Sequence, residues 1–137
     1  MEIKDFFEIY QNAAWTKDAK SMINLYAEQA VIFDMWDQGY ISNSSEWKQI
    51  IIDWLGSLEE EKLKVDFEMV KFHPSDNIGF ASALIQFQAI SSEGAVIRRM
   101  KNRITLGFLK FDDRWKVVHQ HTSAPISSND LTAILDM

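Results

Sequence analysis

The sequence contains no cysteine, which excludes disulfides, thiol nucleophiles and thiolate metal sites together. It also lacks an excess of basic charge: 14 Lys and Arg stand against 20 Asp and Glu, for a formal net charge of −6. A chain of that sign has no electrostatic footprint for a phosphate backbone, so nucleic acid is not expected as a partner. No apolar run approaches the roughly 20 residues of a membrane-spanning helix, and no membrane partner is expected. The opening MEIKDFFEIY is acidic and amphipathic rather than a basic leader followed by an apolar block, which makes the cytoplasm the expected compartment. Linkers, repeats and low-complexity segments are missing as well. The 137 residues are therefore expected to form one domain, with an ordered core over about 3–126 and a polar tail after Pro125.

What the chain does have is aromatic bulk. Five Trp, nine Phe and three Tyr are enough for an aromatic-rich interior or pocket. Phe6, Ile9, Tyr10 and Ala13 recur at helical spacing and predict an amphipathic helix over about 3–14,. TKDAKSMINLY offers Thr16 as an N-cap, with Ala19, Met22, Ile23 and Tyr26 as one apolar helix face,. AVIFDMW suits a short strand. SNSSEWKQIIIDWLGSL begins with capping residues and carries a helical stripe of Trp47, Ile50, Ile51, Trp54, Leu55 and Leu58, with Gly56 near its end,.

From residue 62 the period changes to two. KLKVDFEMVKF sets Leu63, Val65, Phe67 and Met69 against Lys64, Asp66 and Glu68, a half-buried strand whose odd positions face in,. HPSDN, SSEG and DDR are turns, and they separate IGFASALIQFQAI, AVIRRMKNRITLGFLKF and the final WKVVHQHTSAP. Ile104, Leu106 and Phe108 put the even positions of the third long strand inward, whereas the strand over 78–90 is apolar on both sides and its parity stays open. Three helices and a short strand followed by four long antiparallel strands define an α+β fold, a curved antiparallel sheet wrapped around the helices as a cone. Its concave face is the place for a ligand.

The last strand poses a question of facing. In a regular strand Trp115, Val117, His119, His121 and Ser123 share one side,. Two imidazoles at i, i+2 could share a metal ion, but no third ligand is evident from spacing, so no metal is expected. The alternative is a hydrogen-bonded polar cluster.

NRITLGFLKFDDRWKVVHQHTSAP resembles the end of SnoaL-like domains in the subgroup that includes the kinase association domain, with its Arg-x-Thr strand, turn, Trp and His-x-His-x-Ser. By pattern the whole chain resembles the nuclear-transport-factor-2-like superfamily, which includes the polyketide cyclases and ketosteroid isomerases. The resemblance implies a cone-shaped α+β barrel, usually a homodimer through the convex sheet face. It turns Gln120 and Thr122 into the pocket and sends His119, His121 and Ser123 to the convex side beside Arg103 and Thr105.

YQNAAWTKDAKSMINLYAEQAVIFD is similar to the N-terminal pattern of the isomerases, in register as well as type. Tyr10, then Tyr26 with Ala27 sixteen residues on, then Asp34, stand where those enzymes have a first-helix Tyr, a Tyr-Ala pair and a strand-closing Asp. The resemblance implies that Asp34 is a base for a proton α to a carbonyl and Tyr10 the donor to the enolate oxygen. Walls from Ile32, Trp36 and helix aromatics would strip water from Asp34 and raise its pKa toward that of a useful base. The isomerases also place a protonated carboxylic acid on a later strand, and that place falls here at Leu106 or Gly107, neither of which donates from a side chain. Steroid isomerisation proper is therefore not expected.

Tyr26, Ile32, Trp36, Trp54, Gln86, Leu106, Gln120 and Thr122 complete the expected ligand site, with no cofactor. The basic run RRMKNR reads as a solvated strand end or interface edge. Two functions follow: an isomerase- or cyclase-like enzyme moving a proton at carbon on a small, largely apolar molecule, or a non-catalytic ligand-binding or dimerisation module of the same fold.

Overall fold

A computed structural model describes residues 2–137. The first helix, α1 (Asp5–Thr16), buries Phe6, Phe7, Tyr10, Ala13 and Ala14 along one face, as its apolar spacing predicts. It outruns its expected end. Thr16 does not cap the next helix: its hydroxyl donates back to the Asn12 carbonyl at 2.8 Å, inside α1. Lys17 then breaks the helix in a left-handed conformation. Asp18 is the cap of α2 (Ala19–Ile23), accepting from the Ser21 amide at 3.1 Å. Because α2 stops at Ile23, Tyr26 is not on its apolar face but opens β1 (Tyr26–Phe33). Asn43 caps α3 (Ser44–Gly56), accepting from the Ser45 and Glu46 amides.

Four long strands follow: β2 (Lys62–Pro74), β3 (Ile78–Ile90), β4 (Val96–Phe111) and β5 (Arg114–Ser123). They pair antiparallel in sequence order, and β1 joins the far side of β5 in parallel, giving the order β1-β5-β4-β3-β2. The result is the α+β fold read from the sequence, a curved, unclosed sheet around three helices, mixed because of β1. Ala81, Ala83, Ile85 and Ala89 are buried, so the odd positions of β3 face the helices. Gln86 therefore points to the opposite face, where it is flanked in register by Asp66 and Lys101.

The register slips once in each of the four strand pairings, and two of these slips, in β2 and β5, change which residues face the core. In β2 the register slips between Glu68 and Lys71, and Met69 takes a φ of 54°. The slip turns Met69 outward, 72% exposed, rather than inward as its parity predicts, and Val70 packs against the core instead. In β5 the register slips opposite Gly107 and Phe108, which pair with His119 and Val117, leaving Val118 extra,. Trp115 and Val117 before the slip, and Gln120 after it, can then all be buried on the same side.

The core lies between this concave face and the helices. Phe6 meets Phe108 edge-to-face at 5.8 Å, Phe7 meets Phe67 at 4.9 Å and Trp54 meets Phe87 at 5.8 Å. Burying a ring as fully as Phe6 or Phe108 contributes about 1.5–3 kcal/mol. The Gln11 side-chain amide donates to the Val65 carbonyl at 3.0 Å and ties α1 to β2. After β5 the chain folds back on itself: Ile126 bridges Ala133, and the Lys101 amide of β4 donates to the Leu135 carbonyl at 2.7 Å.

Candidate functional site

Asp34 sits immediately after β1 in a loop closed by reciprocal backbone hydrogen bonds between Ile32 and Ile41, at 2.8 and 2.9 Å. Inside the loop the Asp34 amide donates to the Gly39 carbonyl, and the Gly39 amide to the Trp36 carbonyl. Gly39 has a φ of +77°, which a side chain would oppose. Thr122 of β5 anchors the loop from below: its hydroxyl accepts from the Met35 amide at 3.1 Å and is oriented toward the Asp34 carboxylate at 3.4 Å. Burial raises the Asp34 pKa, Asp37 adds to the rise, and the Trp36 and Met35 amides and the Thr122 hydroxyl oppose it,.

This carboxylate lines a cavity of about 360 Å³ between the concave sheet and the helices. Tyr10 of α1 lines it, as do Ile50 and Trp54 of α3, Leu63 of β2 and Phe87 of β3. Met100 and Asn102 enter from β4, Gln120 and Thr122 from β5, and Trp36, 48% exposed, stands at its edge. The walls are mostly apolar, and among the described residues none of those lining it is Lys or Arg.

The polar groups are few. The Tyr26 hydroxyl donates to Gln120 Oε1 at 2.5 Å. Asn102 Nδ2 donates to Met35 Sδ, while its Oδ1 is buried without a partner. Tyr10 is 5% exposed; burial, and then the nearby Asp34 charge, push its pKa up, so the phenol stays protonated. Burial does the same to Tyr26. The site can thus present a neutral phenol and amide donors on one hand and a carboxylate on the other, inside an apolar enclosure.

Of the residues expected here, Tyr10, Asp34, Trp36, Trp54, Gln120 and Thr122 line the cavity. Tyr26 does not line it but touches it through Gln120. Three expectations are corrected. Ile32 is fully buried in a separate cluster with Ala30 and Ile41, because the loop closure pulls it beneath the loop; Ile50, packed on that cluster, forms the wall instead. Leu106 is fully buried in the main core, covered rather than presented to the cavity. Gln86 faces outward on β3.

Sequence reasoning missed Ile50, Leu63, Phe87, Met100 and Asn102 among the lining residues, although for Asn102 a signal existed: it has the inward parity of Ile104, Leu106 and Phe108. The two histidines lie on the outer face. The His119 ring Nδ1–H donates to the Val31 carbonyl at 2.9 Å, and both imidazoles meet the Phe33 ring edge-on. Arg103 donates to Ser123 beside them. Among the described residues no three His, Cys, Asp or Glu side chains converge to hold a metal, and no helix is long and apolar enough to cross a membrane.

A family model described as a SnoaL-like domain matches residues 3–127. The chain belongs to the SnoaL-like domain family. Among solved structures, this SnoaL-like domain is similar to an NTF2-like protein of unknown function from Pseudomonas putida. The two are 20% identical, with a TM-score of 0.86 over 98% of this chain and 92% of that one. It is also similar to a Xanthomonas campestris protein described as a calcium/calmodulin-dependent protein kinase II association domain (15% identity, TM-score 0.74, 98% and 87% covered). Aln2 from a Streptomyces species is a third (10% identity, TM-score 0.76, 89% and 87% covered). At these identities the likeness is one of fold. No curated protein sequence matches the chain.

Proposed function

We propose that this SnoaL-like domain binds a small, largely apolar carbonyl compound in its cone and moves a proton at carbon, with Asp34 as base and Tyr10 as donor. The observation that carries the reading is one apolar cavity holding both a carboxylate whose pKa burial raises and a buried phenol kept protonated. In the proposed step, Asp34 takes the proton from the carbon α to the carbonyl. The C–H electron pair moves into the C–C bond and the carbonyl electrons onto oxygen, where the developing charge accepts a hydrogen bond from Tyr10. Asp34 returns the proton at a second carbon, and the product is an isomer. The absence of cationic side chains among the described lining residues favours a neutral ligand over an anionic one. The proposal includes a homodimer through the convex sheet face, where His119, His121, Arg103 and Thr105 would lie at or near the interface.

The test begins with whatever small molecule stays bound through purification, identified by mass spectrometry. Incubated in deuterated water, the wild-type protein should exchange the α-proton of that compound. Asp34→Asn should slow exchange by about 10²–10⁴-fold and leave affinity nearly unchanged. Full exchange in the variant would remove Asp34 as the base. No exchange in the wild type would favour a binding module without catalysis.

A further inference from the structure

Gln120 reaches the cavity because the β5 bulge lets it follow Trp115 and Val117 to the same face. Its cross-strand partner is Leu106, one of the two positions where the resemblance puts a second acidic donor. The amide is held in one orientation. The Tyr26 hydroxyl donates to Gln120 Oε1 and makes no other side-chain hydrogen bond among the described residues. That contact aims Nε2 away from Tyr26. Nε2 has no acceptor in the protein, yet it is not among the buried polar atoms left without a partner, and Gln120 lines the cavity. The same holds for the Tyr10 hydroxyl. Two neutral donors therefore open into one apolar space without a protein acceptor.

We infer that Gln120 is the second donor to the ligand oxygen, and that Tyr26 is the positioning residue that aims its amide. The inference rests on the proposed reading that a carbonyl compound occupies the cone, and it deepens that reading. Tyr26 does more than orient: donating to Oε1 polarises the amide and strengthens its N–H groups as donors. The paired donors select compounds with an exposed acceptor oxygen on an apolar body, and they hold that oxygen more tightly once it carries charge.

The probe is 2-naphthol, an apolar molecule with one ionisable oxygen, bound to the Asp34→Asn protein so that no carboxylate competes for its proton. Absorbance across a pH series reads how much of the bound probe is naphtholate. Bound naphthol should ionise at lower pH than free naphthol. Added to that background, Gln120→Met, nearly isosteric but without the donor, should weaken naphtholate binding about 10- to 100-fold and neutral naphthol far less. Gln120→Glu keeps the acceptor for Tyr26 while replacing the donor, and should lose naphtholate affinity further. Tyr26→Phe should lose part of the affinity, with no additional loss on top of Gln120→Met. Undiminished naphtholate binding in Gln120→Met or Gln120→Glu would overturn the role of Gln120. A Tyr26→Phe loss that adds in full to that of Gln120→Met would overturn the positioning role. Either result can be read independently of whether the wild-type protein exchanges an α-proton.

Discussion

Asp34 links stability to pH as well as serving the proposed chemistry. Its pKa in the fold lies above the ordinary carboxylate value, chiefly through burial. The folded state therefore binds the proton more tightly than the unfolded state. This stabilisation is full below the unfolded pKa and is lost as pH rises through the folded one. Asp34→Asn, which cannot ionise, should raise the thermal midpoint at neutral pH and bring no such gain below about pH 3.5. Thermal melts of both proteins across that range check it; a variant less stable at neutral pH would contradict the sign. Single residues were legible where a resemblance supplied the register, as with Tyr10 and Asp34, or where inward parity was secure, as it should have been for Asn102. Gln86 was misjudged because β3 is apolar on both faces and its pattern carries no parity. Ile32 lay beyond reach because only the Ile32–Ile41 closure, a contact across a loop, decides where it packs.

Helices and strands announced themselves through period, but their irregularities did not. The β2 and β5 bulges add one residue each, and no local signature marks either: Met69 adopts a left-handed conformation that favours glycine, and Val118 looks like any strand residue. This is why strict alternation along WKVVHQHTSAP misleads. Trp115 and Val117 are inward, and so is Gln120, and the sheet bends between them. The Met69 conformation costs a side-chain-bearing residue about 1–2 kcal/mol, against about 0.5–1 kcal/mol for the extra freedom glycine loses on folding. Met69 packs little, so Met69→Gly should stabilise the protein by about 0.5–1 kcal/mol, read as a higher urea midpoint with an unchanged slope. A lower midpoint would show that the exposed side chain contributes more than the backbone strain it imposes.

At the scale of the whole molecule the fold class and the cone were readable, because a switch from helical to alternating period leaves few architectures. The expectation of a partner on the convex face rests on resemblance alone. The outer face carries Phe33, Ile78 and Phe80 exposed, with His73 stacked on Phe80 at 4.8 Å. These side chains supply apolar area for the proposed dimer. Sedimentation at micromolar concentration should find the dimer, and Phe80→Glu should shift it toward monomer while preserving the far-ultraviolet dichroism. A wild-type chain that sediments only as a monomer would exclude it.

The ladder with β5 spans Arg103–Phe111 of β4, whereas β4 itself begins at Val96. Residues 96–102 thus project past their neighbour with one backbone edge facing outward. An edge of this kind recruits strands from other molecules and seeds aggregation. The returning tail, through the bond from the Lys101 amide to the Leu135 carbonyl, occupies part of that edge. Residues that contribute nothing to the proposed chemistry therefore help keep the protein in solution.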